Sequence, residues 1–324
     1  MDLSARFLDH LEGSRLADGA PCLVAACSGG GDSTALLLLL HDWSKASGVP
    51  VVAIHVQHGL RGRTGDEDAR FCARLAAGLD VPFCFWPVDV ATGRRKGESL
   101  EAAARRLRYE ALLALAAQTG AGTVVATGHT LDDQAETVLL NLHRRAGRTR
   151  GGIRSRRRDG VVRPILPFTR AEIRAFLALR NVPWREDETN ENEQLLRNRI
   201  RRRELPALEA ASPGTAARLA RAGAAWTARL DELDRRIDAA LGAVGAPLGG
   251  PWPRGAVTGL GPEGAARLLV RAAGERGAVP GRVQVACAVA RLLRGDAPLA
   301  ESFAGLRISA DAHAVRLARG ASRP

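Results

Sequence analysis

Residues 27–34 of this chain of 324 residues read Cys-Ser-Gly-Gly-Gly-Asp-Ser-Thr, between an apolar run at 22–27 and a helical stretch at 33–47. A glycine-rich turn between a buried strand and a helix lets backbone N–H groups approach phosphate oxygens at the helix N-terminus. The stretch therefore predicts a phosphate-binding loop. Its candidate ligands are Ser28, Gly29, Gly30, Gly31, Asp32 and Ser33.

The loop differs from two common phosphate-binding motifs. A Walker A motif needs a lysine where this chain has Asp32. A dinucleotide fingerprint needs a final glycine where Thr34 lies, and an acidic residue after the second strand, where Gln57 and His58 follow. The pattern therefore excludes both of these nucleotide-binding classes.

Short strands alternate with helices on both sides of the loop. Strands are predicted at 51–56, 82–88 and 123–127, and helices at 65–78, 98–119 and 131–143. Such alternation requires crossover connections, so we expect an α/β domain with a parallel sheet and helices on both faces.

The second half of the chain has a different pattern. Asp159-Gly160 predicts a hairpin, Thr169 and Glu172 form a capping box, and the Ser-Pro-Gly run at 212–214 predicts a domain boundary. Helices at 216–241, 263–275 and 283–294 and strands at 302–309 and 313–317 then predict a small α+β domain. We expect a catalytic domain at 1–212 and a second domain at 213–324.

An acidic segment follows the strand at 123–127. His129, Asp133 and Glu136 are spaced four and three residues apart, which predicts that they share one helix face, and Asp132 is adjacent. Hard cations and amines both bind carboxylate oxygens, so the cluster suits Mg²⁺ or an ammonium group. An acidic first turn that complements the helix dipole is the alternative.

Basic residues are concentrated in the middle of the chain. The net charge is +12, and residues 141–203 hold 18 of the 47 basic residues against 7 acids. A charge run is often only a solvated face, but two arginine clusters beside a chemical site favour nucleic acid. The candidate contacts are Arg148, Arg150, Arg156, Arg157, Arg158 and Arg197.

Composition indicates a soluble cytoplasmic protein with no membrane partner. The longest apolar run, 111–117, is far shorter than the ~18 residues of a spanning helix, and the N-terminus is not that of a signal peptide. The five cysteines include no Cys-x-x-Cys pair, so neither a disulfide framework nor a zinc ribbon is predicted, and most should be buried thiols.

The loop resembles that of the N-type ATP pyrophosphatases, the PP-loop superfamily, in its Ser-Gly-Gly-x-Asp-Ser order. Further motifs resemble one family within it, the tRNA(Ile)-lysidine synthetases. They are the acidic segment 129–137, His-Gly-Leu-Arg-Gly at 58–62, Arg-Pro-Ile-Leu at 163–166, Glu-Asp-x-Thr-Asn at 186–190 and Arg-Asn-x-Ile-Arg at 197–201. Gln57 is a departure, because an acidic residue often precedes the His-Gly pair in that family.

The resemblance implies a ligase that uses ATP and Mg²⁺. It adenylates the carbonyl oxygen at carbon 2 of the wobble cytidine in an isoleucine tRNA with a CAU anticodon, and free lysine then displaces AMP to form lysidine. By motif position the catalytic residues are Asp32, His129, Asp133, Glu136 and Arg201, and the metal candidates are Asp32 and Asp132. A homodimer is left open.

Three alternatives remain at this point. A tRNA thiolase adenylates a base but needs catalytic cysteines or a cluster site, and Cys22 and Cys27 are five residues apart on one predicted strand. An RNA-binding protein with a degenerate nucleotide site would also explain the arginine clusters. A GMP-synthetase-like amidotransferase would not need them.

Overall fold

The computed structural model describes residues 2–59, 63–144, 151–186, 196–295, 299–303 and 305–319. The chain divides into two compact units, Met1–Ala224 and Ala225–Pro324. Each has its own sheet and its own apolar core.

The first unit contains a parallel sheet of five strands. They are β1 (Leu23–Ala26), β2 (Val51–Gln57), β3 (Phe83–Pro87), β4 (Val124–Ala126) and β5 (Val161–Val162). The spatial order is β3-β2-β1-β4-β5, and β1 pairs with Val51 and Val124 through Leu23. The predicted parallel sheet is confirmed.

Helices of the first unit connect and cover these strands. They are α1 (Leu3–Ser14), α2 (Gly31–Ser47), α3 (Arg63–Gly78), α4 (Val90–Gly93), α5 (Leu100–Thr119), α6 (Leu131–His143), α7 (Arg170–Leu179), α8 (Leu196–Arg199), a π-helical segment (Ile200–Glu204), α9 (Leu205–Ala211) and the start of α10 (Thr215–Ala243).

Side chains of β1 alternate between the two faces of the sheet. Leu23 and Ala25 pack in a core with residues of α1, α2, α3 and α7, whereas Val24 packs against Tyr109 and Leu112 of α5. Successive side chains of a strand point to opposite faces, so a sheet buried on both sides needs helices on each. The predicted covering of both faces is confirmed.

The strand order fixes where a ligand can bind. The chain passes from β1 to β2 on one side of β1, whereas β4 lies on its other side. In open parallel sheets this reversal leaves a crevice at the carboxyl ends of the two central strands. The loops that follow β1 and β4 meet at that edge.

The second unit is an antiparallel sheet with helices. Its elements are β6 (Trp252–Pro253), α11 (Arg254–Gly259), α12 (Gly261–Glu275), α13 (Arg282–Arg294), β7 (Leu299–Phe303), β8 (Leu306–Ala310) and β9 (Ala314–Arg319), with strand order β6-β9-β8-β7. Trp252 is fully buried in its core, beside Leu268, Ile308 and Val315. The predicted α+β class is confirmed.

Two details differ from the sequence-based expectations. The single strand predicted at 302–309 is wrong, because β7 and β8 form an antiparallel hairpin in which Phe303 pairs with Leu306. The compact units divide after Ala224 rather than at 212, since Ala216 and Leu219 of α10 pack with Leu139 and Ile200. The functional division at 212/213 stays a prediction.

Within the described ranges, no helix is both long and apolar enough to cross a membrane.

Candidate active site

The predicted phosphate loop lies at the crevice, between the end of β1 and the first turn of α2. Gly30 is the N-cap of α2 and offers no side chain to its first turn, so the N–H groups of that turn can face an anion. Ser33 accepts a hydrogen bond from the Ser28 N–H at 3.0 Å and donates one to the Gly30 carbonyl at 3.0 Å. The loop is therefore held in shape by its own hydroxyl groups.

Two glycines let the backbone approach closely here. Gly29 has φ +88°, and its carbonyl accepts a hydrogen bond from the Arg185 N–H at 2.9 Å. A Cβ on Gly128, just after β4, would lie 3.1 Å from the backbone of Asp32 and Ser33. The loops of β1 and β4 therefore touch through backbone, as the sheet order requires.

Asp32 lies in the first turn of α2, and Arg170 connects it to the acidic segment. Its carboxylate is 3.5 Å from the Arg170 guanidinium. Burial raises the pKa of Asp32, the positive charge of Arg170 opposes the rise, and the negative charge of Asp133 adds to it, leaving the pKa above its usual value. A further cation at this carboxylate would be favourable.

Asp133 and Glu136 lie on α6 and form a buried acidic pair. The Glu136 side chain is fully buried, and the Asp133 side chain is 9% exposed. Three arginines bond to both residues, Arg170 from α7, Arg197 from α8 and Arg201 from the π-helical segment. Buried carboxylates need such partners. Residues far apart in the sequence thus form one group of ion pairs. We call Asp133, Glu136 and these three arginines the acidic cluster.

Arg201 makes the shortest bonds in this cluster. Its guanidinium donates to Glu136 at 2.7 and 2.9 Å and to Asp133 at 3.0 Å. The bonds from Arg170 and Arg197 to the same carboxylates range from 3.2 to 3.4 Å. Arg201 is therefore the principal ion-pair partner of Asp133 and Glu136, and the guanidiniums of Arg170 and Arg197 are bound to them less tightly.

The two oxygens of Asp133 have different partners. Oδ2 accepts hydrogen bonds from the Thr130 N–H at 2.9 Å and the Thr130 hydroxyl at 3.1 Å, and closes the capping box of α6. Oδ1 accepts from the arginines. Burial would raise the pKa of Asp133, but Arg170, His129 and the Thr130 N–H bring it below its usual value.

His129 lies before the N-cap of α6, so the prediction that it shares a helix face with Asp133 and Glu136 is wrong. The reason is that the capping box starts the helix after Thr130. The Nδ1 atom is 3.1 Å from the Thr127 hydroxyl. Burial lowers the pKa of His129 to about 3, which the nearby Asp133 opposes and Arg163 assists. The imidazole is therefore neutral at neutral pH.

Asp132 has a structural partner. Its carboxylate accepts a hydrogen bond at 2.7 Å from the N–H of Arg170, the first residue of α7. No group of three His, Cys, Asp or Glu side chains suited to a metal ion occurs among the residues that the structure describes.

The predicted RNA contacts are dispersed. Arg148 and Arg150 lie outside the described residues, as do 60–62 and 187–195 of the motifs. Arg156 donates to the Leu16 carbonyl, Arg157 pairs with Asp159, and Arg158 is exposed. Arg197 belongs to the acidic cluster, which the sequence did not predict.

Sequence reasoning missed Arg170, Arg105, Arg108 and Tyr109. A cation at the first position of a helix is unfavourable for the helix dipole. Arg170, directly after the cap Thr169, therefore indicated that this side chain has an acidic partner elsewhere. Tyr109 is buried on α5 with Arg105 and Arg157 over its ring, at 5.1 and 4.6 Å from the ring centroid. These contacts depend on folding, and no local pattern predicts them.

Comparison with known proteins bears on this geometry. The chain matches the PP-loop domain family over residues 3–208. It is 44% identical over 229 residues to the tRNA(Ile)-lysidine synthase of Thermus thermophilus, covering 70% of this chain and 43% of that protein. The same enzyme of Solibacter usitatus is 43% identical over 198 residues, which cover 60% and 42% of the two chains. The matched region thus spans less than half of these relatives.

A solved structure shows the same fold. The U34-tRNA thiolase NcsA of Methanococcus maripaludis superposes with a TM-score of 0.56 at 17% identity, over 68% of this chain and 76% of that one.

Proposed function

This chain belongs to the PP-loop domain family, and we propose that it ligates lysine to carbon 2 of the wobble cytidine in an isoleucine tRNA with a CAU anticodon. The observation that carries the proposal is the buried pair Asp133 and Glu136, which Arg170 connects to Asp32 of the phosphate loop. A site for an amine beside a site for a nucleotide suits the transfer of an activated base to lysine. The identity to the tRNA(Ile)-lysidine synthases supports the same reaction.

The first step joins AMP to the base. The cytidine carbonyl oxygen attacks the α-phosphorus of ATP, the bond to the β-phosphate breaks, and pyrophosphate leaves. N–H groups of the loop and of the first turn of α2 would hold the departing charge, with the Ser28 and Ser33 hydroxyls beside them. Gly128 lets the segment after β4 approach the backbone of Asp32 and Ser33 in this turn.

Asp32 fits a magnesium ion. Its carboxylate is largely buried and has one long ion pair, and burial raises its pKa. Mg²⁺ usually binds one or two carboxylates and completes its shell with phosphate oxygens and water, so a single carboxylate at the phosphate loop is sufficient. When bound, the ion would offset the negative charge of the phosphates. Asp132 fits less well, because its carboxylate already accepts the Arg170 N–H.

The second step breaks the bond between the base and AMP. The lysine amine loses a proton to solvent and then attacks carbon 2, and AMP leaves with the oxygen. His129 is neutral and lies at the carboxyl edge of β4, so it can accept a hydrogen bond there.

Asp133 and Glu136 are the proposed acceptors for the cationic amine of lysine. Since three guanidiniums already bond to them, lysine would have to replace one. Arg170 and Arg197 are the candidates, because their bonds are longer than those of Arg201. Arg201 would then remain and keep Glu136 in position.

The thiolase alternative has little support from the cysteines. Cys22 and Cys27 are both buried, and the Cys27 carbonyl oxygen lies 2.9 Å from His55 Nδ1 and 3.6 Å from Cys72 Sγ. The likeness to the thiolase NcsA at 17% identity shows the fold alone. An RNA-binding protein without activity would not need the intact loop and acidic pair.

The test uses the purified chain with ATP, Mg²⁺, radiolabelled lysine and a transcript of isoleucine tRNA with a CAU anticodon. We expect lysine to enter the tRNA with release of one pyrophosphate per lysine. A transcript with uridine in place of the wobble cytidine is the matched control and should stay unlabelled. Pyrophosphate release without lysine incorporation, or labelling of both transcripts alike, would contradict the proposed reaction.

A further inference from the structure

Four arginines surround the single tyrosine of the chain. The guanidinium carbons of Arg105, Arg108 and Arg157 lie 5.1, 5.5 and 4.6 Å from the centroid of the Tyr109 ring. Arg163 acts on the same phenol electrostatically. We call these four arginines and Tyr109 the Tyr109 cluster.

The Tyr109 cluster has far more positive than negative charge. Asp159 pairs with Arg157. In the described part of the chain, no carboxylate lies within ion-pair distance of the other three arginines. The acidic cluster is different, because its three arginines face Asp32, Asp133 and Glu136. One cluster is thus balanced without a ligand, and the other is not.

Burial makes this imbalance costly. Arg163 is only 4% exposed, and its Nε atom is buried with no hydrogen-bond acceptor, although Nη1 donates to the Arg154 carbonyl. Burial, together with nearby arginines, lowers the pKa of Arg108 and Arg163. Buried donors are nearly always satisfied in folded proteins, so the Arg163 Nε–H can bond an acceptor that enters from outside the chain.

The position of the cluster identifies the ligand class. Arg163 follows β5 directly, and the charges of Arg163, Arg105 and Arg108 act on His129, which follows β4. The phosphate loop follows β1, two strands away from β5 in the sheet, or about 10 Å at the usual strand spacing. An anion in the cluster would therefore lie beside His129 but away from the loop that suits the phosphates of ATP.

We propose that the Tyr109 cluster binds a backbone phosphate of the substrate RNA next to the nucleotide whose base faces His129. This inference rests on the proposed function, because it assigns the base to that end of the crevice. Guanidinium groups bind phosphate through paired N–H donors, and their charge does not depend on pH in the working range. The phosphate would fix the position of the strand.

The test compares charge-removing and charge-keeping variants. The first is the double variant Arg105→Gln/Arg157→Gln, and the second is Arg105→Lys/Arg157→Lys. The matched control is Arg70→Gln/Arg74→Gln, which removes the same charge from exposed positions of α3. A fourth variant, Asp159→Asn, removes the carboxylate that pairs with Arg157.

The readout is the Kd for the tRNA transcript as a function of salt, with the Kd for ATP measured separately. We expect Arg105→Gln/Arg157→Gln to weaken RNA binding about tenfold and to reduce the slope of log K against log salt by about 0.7, the value for the loss of one phosphate contact. The lysine variant should keep most of the slope, the control should match the wild type, and Asp159→Asn should bind RNA more tightly.

Three results would overturn the inference. They are a salt slope equal to that of the control, unchanged RNA affinity with weaker ATP binding, and weaker RNA binding by Asp159→Asn. The second result would assign the cluster to the nucleotide. Thermal unfolding of each variant shows whether it folds. If the glutamine variant does not fold, the lysine variant and Asp159→Asn still test the inference. Failure of lysine incorporation by the wild type would refute the proposed function without changing these RNA affinities.

Discussion

At the scale of single residues, Asp32 lies at the proposed nucleotide site, and the 3.5 Å ion pair with Arg170 only partly neutralises its carboxylate. We expect Asp32→Asn to abolish ATP-dependent adenylation while the Kd for tRNA stays within a few-fold, because the carboxylate faces the phosphates and RNA affinity comes from arginines. Pyrophosphate release and filter binding of tRNA measure the two effects. Asp18→Asn, at an exposed position, is the control. Equal loss of both functions would show that Asp32 does not act at the nucleotide.

His129 gives a prediction about pH and stability. Its pKa in the folded protein is about 3, below the usual value of 6.5, so between these values the unfolded chain takes up a proton that the native protein refuses. Stability should therefore fall as the pH decreases from about 6.5 toward 3, by at most about 1.4 kcal/mol per pH unit from this residue. His129→Gln should have a shallower dependence.

Urea unfolding of wild type and variant near pH 6.5 and near pH 5 measures this difference. Burial also lowers the pKa of His10 and His55, but both remain in the variant, so the difference isolates His129. Parallel pH profiles for the two proteins would mean that His129 protonates freely in the folded state.

At the scale of elements, α6, α8 and the π-helical segment are joined by the acidic cluster. Removal of one partner of a buried ion pair leaves the other charge uncompensated. We expect Arg201→Ala to lower the free energy of unfolding by about 3 kcal/mol, because Glu136 is fully buried and Arg201 makes the shortest bonds to it. Arg197→Ala should cost about 1 kcal/mol, since its side chain is 36% exposed and Arg201 remains.

Chemical denaturation of the two alanine variants and of the control Arg199→Ala tests this ranking. Arg199 lies between the two arginines in sequence but pairs with Glu204 and is 50% exposed. A larger effect for Arg197→Ala than for Arg201→Ala would contradict the assignment of Arg201 as the principal ion-pair partner.

The elements also show what the sequence could predict. The loop and the alternation of strands and helices in the first unit were predictable, because they depend on local periodicity and on the glycines. The hairpin of β7 and β8 was missed, since alternation alone does not mark a turn within an apolar run. The helix α1 was not predicted, although Leu3, Phe7 and Leu11 have helical spacing.

The candidate site was predictable only in part. Residues at the carboxyl ends of β1 and β4 were predicted to carry it, because parallel strands place those ends at one edge. The partners of Asp133 and Glu136 were not, since Arg170 and Arg197 come from segments 34 to 64 positions later in the chain. Such pairing is decided by tertiary packing, as is the position of Arg163 beside Tyr109.

At the scale of the whole molecule, the two units have separate apolar cores. Trp252 is fully buried in the second unit, and the core beneath the phosphate loop contains none of its neighbours. We expect Trp252→Ala to destabilise the second unit by about 3–5 kcal/mol while the Kd for ATP stays unchanged. Urea unfolding and ATP titration measure the two quantities, and Trp252→Phe is the milder control. Weaker ATP binding in the folded alanine variant would mean that the units depend on each other.

Asp133 has a consequence for how this protein can change in evolution. One oxygen of its carboxylate starts α6 and the other faces the arginines of the site, so a mutation cannot alter the second role without weakening the first. Proteins retain only substitutions that keep them above a stability threshold. Under the proposed function, a lineage that came to accept a different amine would therefore change Glu136 or its arginine partners first, and Asp133 would be among the last residues to vary.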